Sequence, residues 1–243
     1  VRVGLSLSRS CDTGAARARI CWCCTDNAAM AINTPQIIDT ARQVLEIAAT
    51  IAFALSGVIK AAHKKLDVVG VCVVAFIAAF GGGTLRDLLL DQRPFFWVRH
   101  ENFVWVVMLI SLLAIGFMRQ RHFAVTERAM LWPDMLGLGL FAAVGVDMAA
   151  EQGMSPLICV MMGVITGVFG GVLRDVLCGE IPQAFRDHQP YAVCAFIGGW
   201  VDILLRNSPV PEMAPMLACV FVTAGLRAIA LWRQWRLPSW RVE

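Results

Sequence analysis

Charge is what this chain has least of. Asp, Glu, Lys and Arg make up 16% of its 243 residues, and the formal net charge is only +3. Soluble domains carry far more charge, and so small a surplus of basic residues gives no ground for a nucleic-acid partner. Catalytic signatures are missing as well. There is no hydrolase elbow, phosphate loop or HExxH pattern, and the acids and histidines form no spaced catalytic set, so no enzymatic activity is expected. A zinc pattern is absent too: Cys11, Cys21, Cys23 and Cys24 crowd together without a second pair or a His cluster to complete it. Cys72, Cys159, Cys194 and Cys219 lie inside apolar runs, where Cys acts as a small hydrophobe. Neither a metal nor a cofactor is expected.

What remains is apolar. Hydrophobic residues make up 58% of the chain, gathered into seven runs near the roughly 20 residues that a membrane span requires. They are 44–62, 68–90, 103–118, 135–150, 156–178, 191–205 and 213–232. The fourth and sixth are short and carry Asp147 and Asp202. Residues 1–33 stand apart, rich in Arg, Ser, Ala and Cys. They make a poor signal peptide. A transit peptide, a disordered tail, or a start of translation at Met30 are the alternatives.

An internal repeat organises the rest. A shift of 88 positions lays Gly82-Gly83-Thr84-Leu85-Arg86-Asp87 on Gly170-Gly171-Val172-Leu173-Arg174-Asp175 without a gap. The register extends to Phe53 and Phe141, Gly57 and Gly145, Pro94 and Pro182, and His100 and His188. The expected fold is therefore an all-α membrane protein of seven transmembrane helices. A three-helix repeat (44–118) is followed by a second (131–206) and a seventh helix (213–233). An odd number of spans per repeat inverts the second copy with respect to the first. Lys60, Lys64 and Lys65, then Arg119, Arg121 and Arg128, then Arg233, Arg236 and Arg241 fall on one side, which places the C-terminus in the cytoplasm.

The candidate site lies at the doubled motif. Ala75, Ala79 and Gly83, and their counterparts Gly163, Gly167 and Gly171, form small-residue stripes suited to close helix packing. The clusters Gly81-Gly82-Gly83 and Gly170-Gly171 invite a bend or break, since Gly costs about 1 kcal/mol against Ala in a helix interior. Broken helices at membrane depth expose peptide groups that must meet protein or a water-filled cavity. Arg86, Asp87, Arg174 and Asp175 follow, either as functional intramembrane charges or as helix-end residues reaching to the interface. Adjacent residues do not share a helix face, so each is expected to pair with another helix or the opposite copy. Glu46 and Asp134 read most simply as acids at helix starts. Asp147, Asp202 and Arg227 lack counterparts of like charge and are candidates for pairing between helices or between subunits. His100 and His188 are expected to be exposed and inert.

The doubled Gly-Gly-x-x-Arg-Asp motif, the three-plus-three-plus-one plan and the Pro after each motif resemble the bacterial family labelled a glycine transporter domain, which is related to the trimeric intracellular cation (TRIC) channels. The resemblance covers residues 44–232. It implies homotrimers with a pore in each subunit, lined by the second and fifth spans kinked at their glycines. Carried onto this chain, that path would run along Gly81 to Gly83, Arg86, Asp87, Gly170, Gly171, Arg174 and Asp175. A potassium-conducting channel of a bacterial inner membrane is the expected function, with monovalent cations, the lipid bilayer and two further copies of the chain as partners. A secondary carrier of a small amino acid such as glycine is the alternative, and a scaffold without transport a third.

Overall fold

A computed structural model describes residues 23–121, 127–185 and 190–235, with side-chain surroundings for 38–116, 129–185 and 190–235. The chain divides into two units, Val1–Ile37 and Ile38–Glu243. Of the first, residues 23–37 are helical, including part of the stretch expected to be a tail; residues 1–22 lie outside the described residues.

Every regular element among the described residues is a helix. They are α1 (Cys23–His63), α2 (Val68–Leu89), α3 (Phe96–Arg99), α4 (Glu101–Arg121), α5 (Glu127–Glu151), α6 (Pro156–Leu177), α7 (Ala192–Arg206) and α8 (Ala214–Trp232). Five segments are long and apolar enough to cross a membrane: Ile38–His63, Val68–Leu89, Ala129–Glu151, Pro156–Leu177 and Ala214–Trp232. The described part of α4 is a shorter apolar helix, Glu101–Gly116. Helix α7 has 15 residues and carries both Asp202 and Arg206. The seven apolar runs correspond to the seven longer helices. The short α3, in the connection after α2, has no run of its own because four residues cannot show a period.

In the two motif copies the C-terminal helix ends are built alike and the N-terminal ends differ. Asp67 caps α2 by accepting a hydrogen bond from Gly70 N at 2.7 Å, while α6 opens with Pro156 in its first turn, where the missing N–H costs nothing. Helix α2 closes with Leu90 N donating to Arg86 O and Gln92 N to Asp87 O. Helix α6 closes with Cys178 N donating to Arg174 O and Glu180 N to Asp175 O. The left-handed residue in these turns is Asp91 (φ 50°) in one and Gly179 (φ 69°) in the other, at matching positions.

The doubled glycines do not break their helices. Both α2 and α6 run as continuous α-helix through the motif, which overturns the expected release of peptide groups there. Their role is close approach. A Cβ on Gly170 would lie 2.6 Å from Ala78 O, and one on Gly82 would overlap Thr166 O. These two contacts exchange under the 88-residue shift, so each helix presses its glycine against the backbone of the other. Keeping the helical hydrogen bonds intact is the less costly arrangement where lipid offers none, and the closer contact offsets the low helix propensity of Gly. The same device joins α1 to α2, where a Cβ on Gly57 would lie 2.9 Å from Ala75 Cα, and α5 to α6, where one on Gly145 would lie 2.9 Å from Gly163 Cα.

Candidate functional site

Six buried charges flank the crossing of α2 and α6 in two sets of three. In the first, Arg86 Nη2 donates to Glu46 Oε1 at 2.6 Å, and Arg86 Nε and Nη2 donate to Asp87 Oδ1 at 2.9 and 2.6 Å. In the second, Arg174 Nη1 donates to Asp134 Oδ1 at 2.5 Å and Arg174 Nε to Asp175 Oδ1 at 2.9 Å. Arg86 is 1% exposed and Arg174 0%, so neither reaches the interface; the expectation that such charges could merely extend to the headgroups does not hold. Each set places two carboxylates on one guanidinium and carries one formal negative charge when all its members are ionised. Sharing an arginine in this way satisfies buried charges that would otherwise be prohibitively unstable in a low-dielectric interior.

Two sequence expectations are corrected here. The neighbouring Arg and Asp of each motif do pair, because the arginine side chain is long enough to fold back along the helix end. Each arginine also reaches an acid on another helix, as expected, and that acid belongs to its own copy. Glu46 and Asp134 are these partners and not dipole-neutralising acids, since α1 and α5 both begin well upstream of them. The signal was present in the matching separation of 40 residues between acid and arginine in both copies.

The remaining motif residues make room for these groups. A Cβ on Gly83 would sit 3.7 Å from Glu46 Oε1 and 3.9 Å from Arg86 Nη2, and one on Gly171 would sit 3.5 Å from Asp134 Oδ1 and 3.2 Å from the Tyr191 hydroxyl. Gly81 faces Leu173. The second carboxylate oxygens anchor the connections: Asp87 Oδ2 accepts from Phe96 N at 3.1 Å and Asp175 Oδ2 from Gln183 N at 2.9 Å.

The two ends of the crossing differ. Arg174 also donates to Ser56 Oγ, whereas position 144, the counterpart of Ser56, is Val144. Arg86 Nη1 has no hydrogen-bond partner among the described residues. Arg86 borders a polar cavity of about 260 Å³ together with Asp39, Arg42, Glu46, Asp87 and His100. His100 is therefore half-buried beside charged groups and packed on Phe96 at 5.2 Å, not an exposed bystander; His188 lies outside the described residues. At the other end, Glu180 accepts from Lys60 Nζ at 2.5 Å and pairs with Lys64 Nζ at 2.6 Å. These two lysines hold its carboxyl down at about 2. The matching positions are Met148, Gln152 and Gln92, which cannot form such a clasp.

Asp147 pairs between helices, as expected, whereas Asp202 pairs with Arg206 one turn on in its own helix α7. Asp147 receives Arg42 Nε at 2.7 Å and Arg206 Nη2 at 2.5 Å, and Arg206 Nε reaches Asp202 at 2.5 Å. The Arg227 guanidinium lies 4.9 Å from the centre of the Tyr191 ring. Arg42, Arg206 and Glu180 were not singled out in the sequence, since only three-dimensional proximity reveals their partners.

Comparison with known proteins places the chain in a family. The family profile described as "Glycine transporter" matches the chain twice, over residues 43–119 and 131–207. The UPF0126 inner membrane protein YadS of Escherichia coli (strain K12) is 40% identical over 205 residues, covering 82% of this chain and 96% of YadS. A UPF0126 membrane protein of Deinococcus radiodurans is 36% identical over 200 residues, covering 82% of this chain and 91% of that protein. Among solved structures, the TRIC trimeric intracellular cation channel orthologue from Rhodobacter sphaeroides superposes with a TM-score of 0.75 at 31% identity, covering 81% of this chain and all of that one. A prokaryotic TRIC channel crystallised in 0.5 M KCl gives a TM-score of 0.75 at 27% identity, over 82% of this chain and 99% of the other. With two matched segments that together span most of its length, and with the TRIC-like helical fold, this membrane protein belongs to the glycine transporter (UPF0126) family.

Proposed function

We propose that this protein is a cation channel of a bacterial inner membrane, conducting potassium through a path in each subunit of a homotrimer. The observation that carries the proposal is the pair of buried charge sets at the two ends of the α2 and α6 crossing. Each offers two carboxylates against one guanidinium. A surplus of fixed negative charge at both ends of a low-dielectric passage attracts cations and repels anions. The likeness to solved TRIC cation channels supports the same reading. In this proposal α1, α2 and α4 form one repeat, α5, α6 and α7 form its inverted copy, and α8 completes seven spans with the C-terminus in the cytoplasm. The path follows Gly81 to Gly83, Arg86 and Asp87 on one side and Gly170, Gly171, Arg174 and Asp175 on the other, along unbroken helices.

A carrier of a small zwitterion such as glycine is the second reading. The family description favours it, and the 260 Å³ cavity presents both guanidinium and carboxylate groups. Flux in liposomes separates the two. The channel predicts potassium movement that follows an imposed voltage without saturating, abolished when Glu46 and Asp134 are both replaced by Gln and Asn. Saturable glycine uptake linked to sodium or protons, with no potassium current, would replace the channel by the carrier.

A further inference from the structure

We infer that the stacked rings of Phe53 and Phe141 are the closed gate of the cation path; the inference rests on the reading of this site as a channel. The two phenylalanines exchange under the 88-residue shift. Their ring centroids lie 5.6 Å apart with planes 26° from parallel, and they are 0% and 1% exposed. On α1, Glu46, Thr50, Phe53 and Lys60 follow one another at helical spacing and share a face. Phe53 stands seven residues from both Glu46 and Lys60, which is about 10 Å from each at 1.5 Å per residue. On α5, Phe141 likewise stands midway between Asp134 and Met148. The ring pair is therefore central between the two charge sets.

The cavities lead to it. The 260 Å³ cavity at the Arg86 end shares Glu46 and Phe96 with a much smaller void of about 10 Å³. That void is bounded by Thr50, Gly83 and Phe141, and its size suits one water at most. Beyond it the Phe53 ring closes against the crossing, with its Cδ1 3.8 Å from the place of a Cβ on Gly170. A narrow, water-sized route, with Glu46, Thr50 and Thr84 set among apolar side chains, thus descends from the Arg86 end and stops at two aromatic rings that carry no hydrogen-bonding atom. An apolar constriction of this kind blocks ions by excluding the water they travel with. Rotation of either ring, or a small parting of α1 and α5, would extend this route past the rings toward the Arg174 end.

The test is potassium efflux from liposomes holding purified protein, normalised to the folded fraction by size-exclusion chromatography. Phe141→Ala and Phe53→Ala should each raise efflux severalfold over the unsubstituted protein, while Phe141→Leu, which keeps the plug apolar and bulky, should stay near it. Phe141→Thr wets the constriction with less loss of volume and should also raise efflux, which keeps the test open where an Ala variant does not fold. Conduction by the unsubstituted protein with no gain in the Ala and Thr variants would overturn the gate and leave the path standing. Silence in the unsubstituted protein with conduction in the variants supports the gate directly. Silence in all of them would remove the channel reading and the gate with it.

Discussion

Replacing Gly82 or Gly170 by Ala should destabilise the protein, although Ala is the better helix former. In both cases the new methyl meets a backbone carbonyl and not a side chain that could rotate away. At Gly170 the Cβ would lie 2.6 Å from Ala78 O, so α2 and α6 must part by close to 1 Å to reach ordinary contact; at Gly82 the overlap with Thr166 O is deeper. Overpacking of this kind costs about 1–3 kcal/mol, while exchanging Gly for Ala within a helix returns about 1 kcal/mol. The net expectation is a loss of up to about 2 kcal/mol at each site. Gly116 in α4 and Gly225 in α8 provide the controls, since a Cβ on either meets nothing within 4 Å. Ala there should gain up to about 1 kcal/mol. Since 1 kcal/mol moves the midpoint of a chain of this size by about 2–4 °C, thermal unfolding in detergent should show the two pairs moving in opposite directions. Gly82→Ala as stable as Gly225→Ala would refute close approach as the reason for the glycines. Bending would then return as their explanation.

Removing either arginine should be far more damaging. Arg174→Met leaves Asp134 and Asp175 buried without a counter-charge, at a cost of about 3–5 kcal/mol, so the yield of folded protein after detergent extraction should collapse. Substituting Asp134→Asn in the same chain should recover part of it. The Glu180 clasp makes a prediction about pH. Its carboxyl is held at about 2 against an ordinary 4.5. The stabilisation is therefore present above pH 4.5 and is lost as pH falls toward 2; with the pair screened by solvent it is worth about 1 kcal/mol at neutral pH. Glu180→Gln should be less stable than the unsubstituted protein at pH 7, with the gap closing between pH 4.5 and 2; a gap independent of pH would exclude the lysines as its cause.

Much of this protein could be read from its residues alone. Apolar runs of membrane length, interrupted by short basic stretches, dictate helices because a lipid-facing backbone must satisfy its own hydrogen bonds. The 88-residue register located the matching positions, and the motif Gly-Gly-x-x-Arg-Asp marked where the two copies carry their charges. Three things were settled by the packing. A glycine in a helix serves equally for bending and for close approach, and the choice depends on whether a neighbouring carbonyl stands where its Cβ would be. At Gly82 and Gly170 it does. The partners of Arg86 and Arg174 lie 40 residues away on another helix; the repeat register shows the matched separation, but only the packing shows that the groups meet. The difference between the two ends of the crossing belongs to tertiary structure as well. Lys60 and Glu180 are unremarkable in sequence and become a clasp only where the end of α1 meets the turn after α6, because ion pairing depends on distance in space and not along the chain.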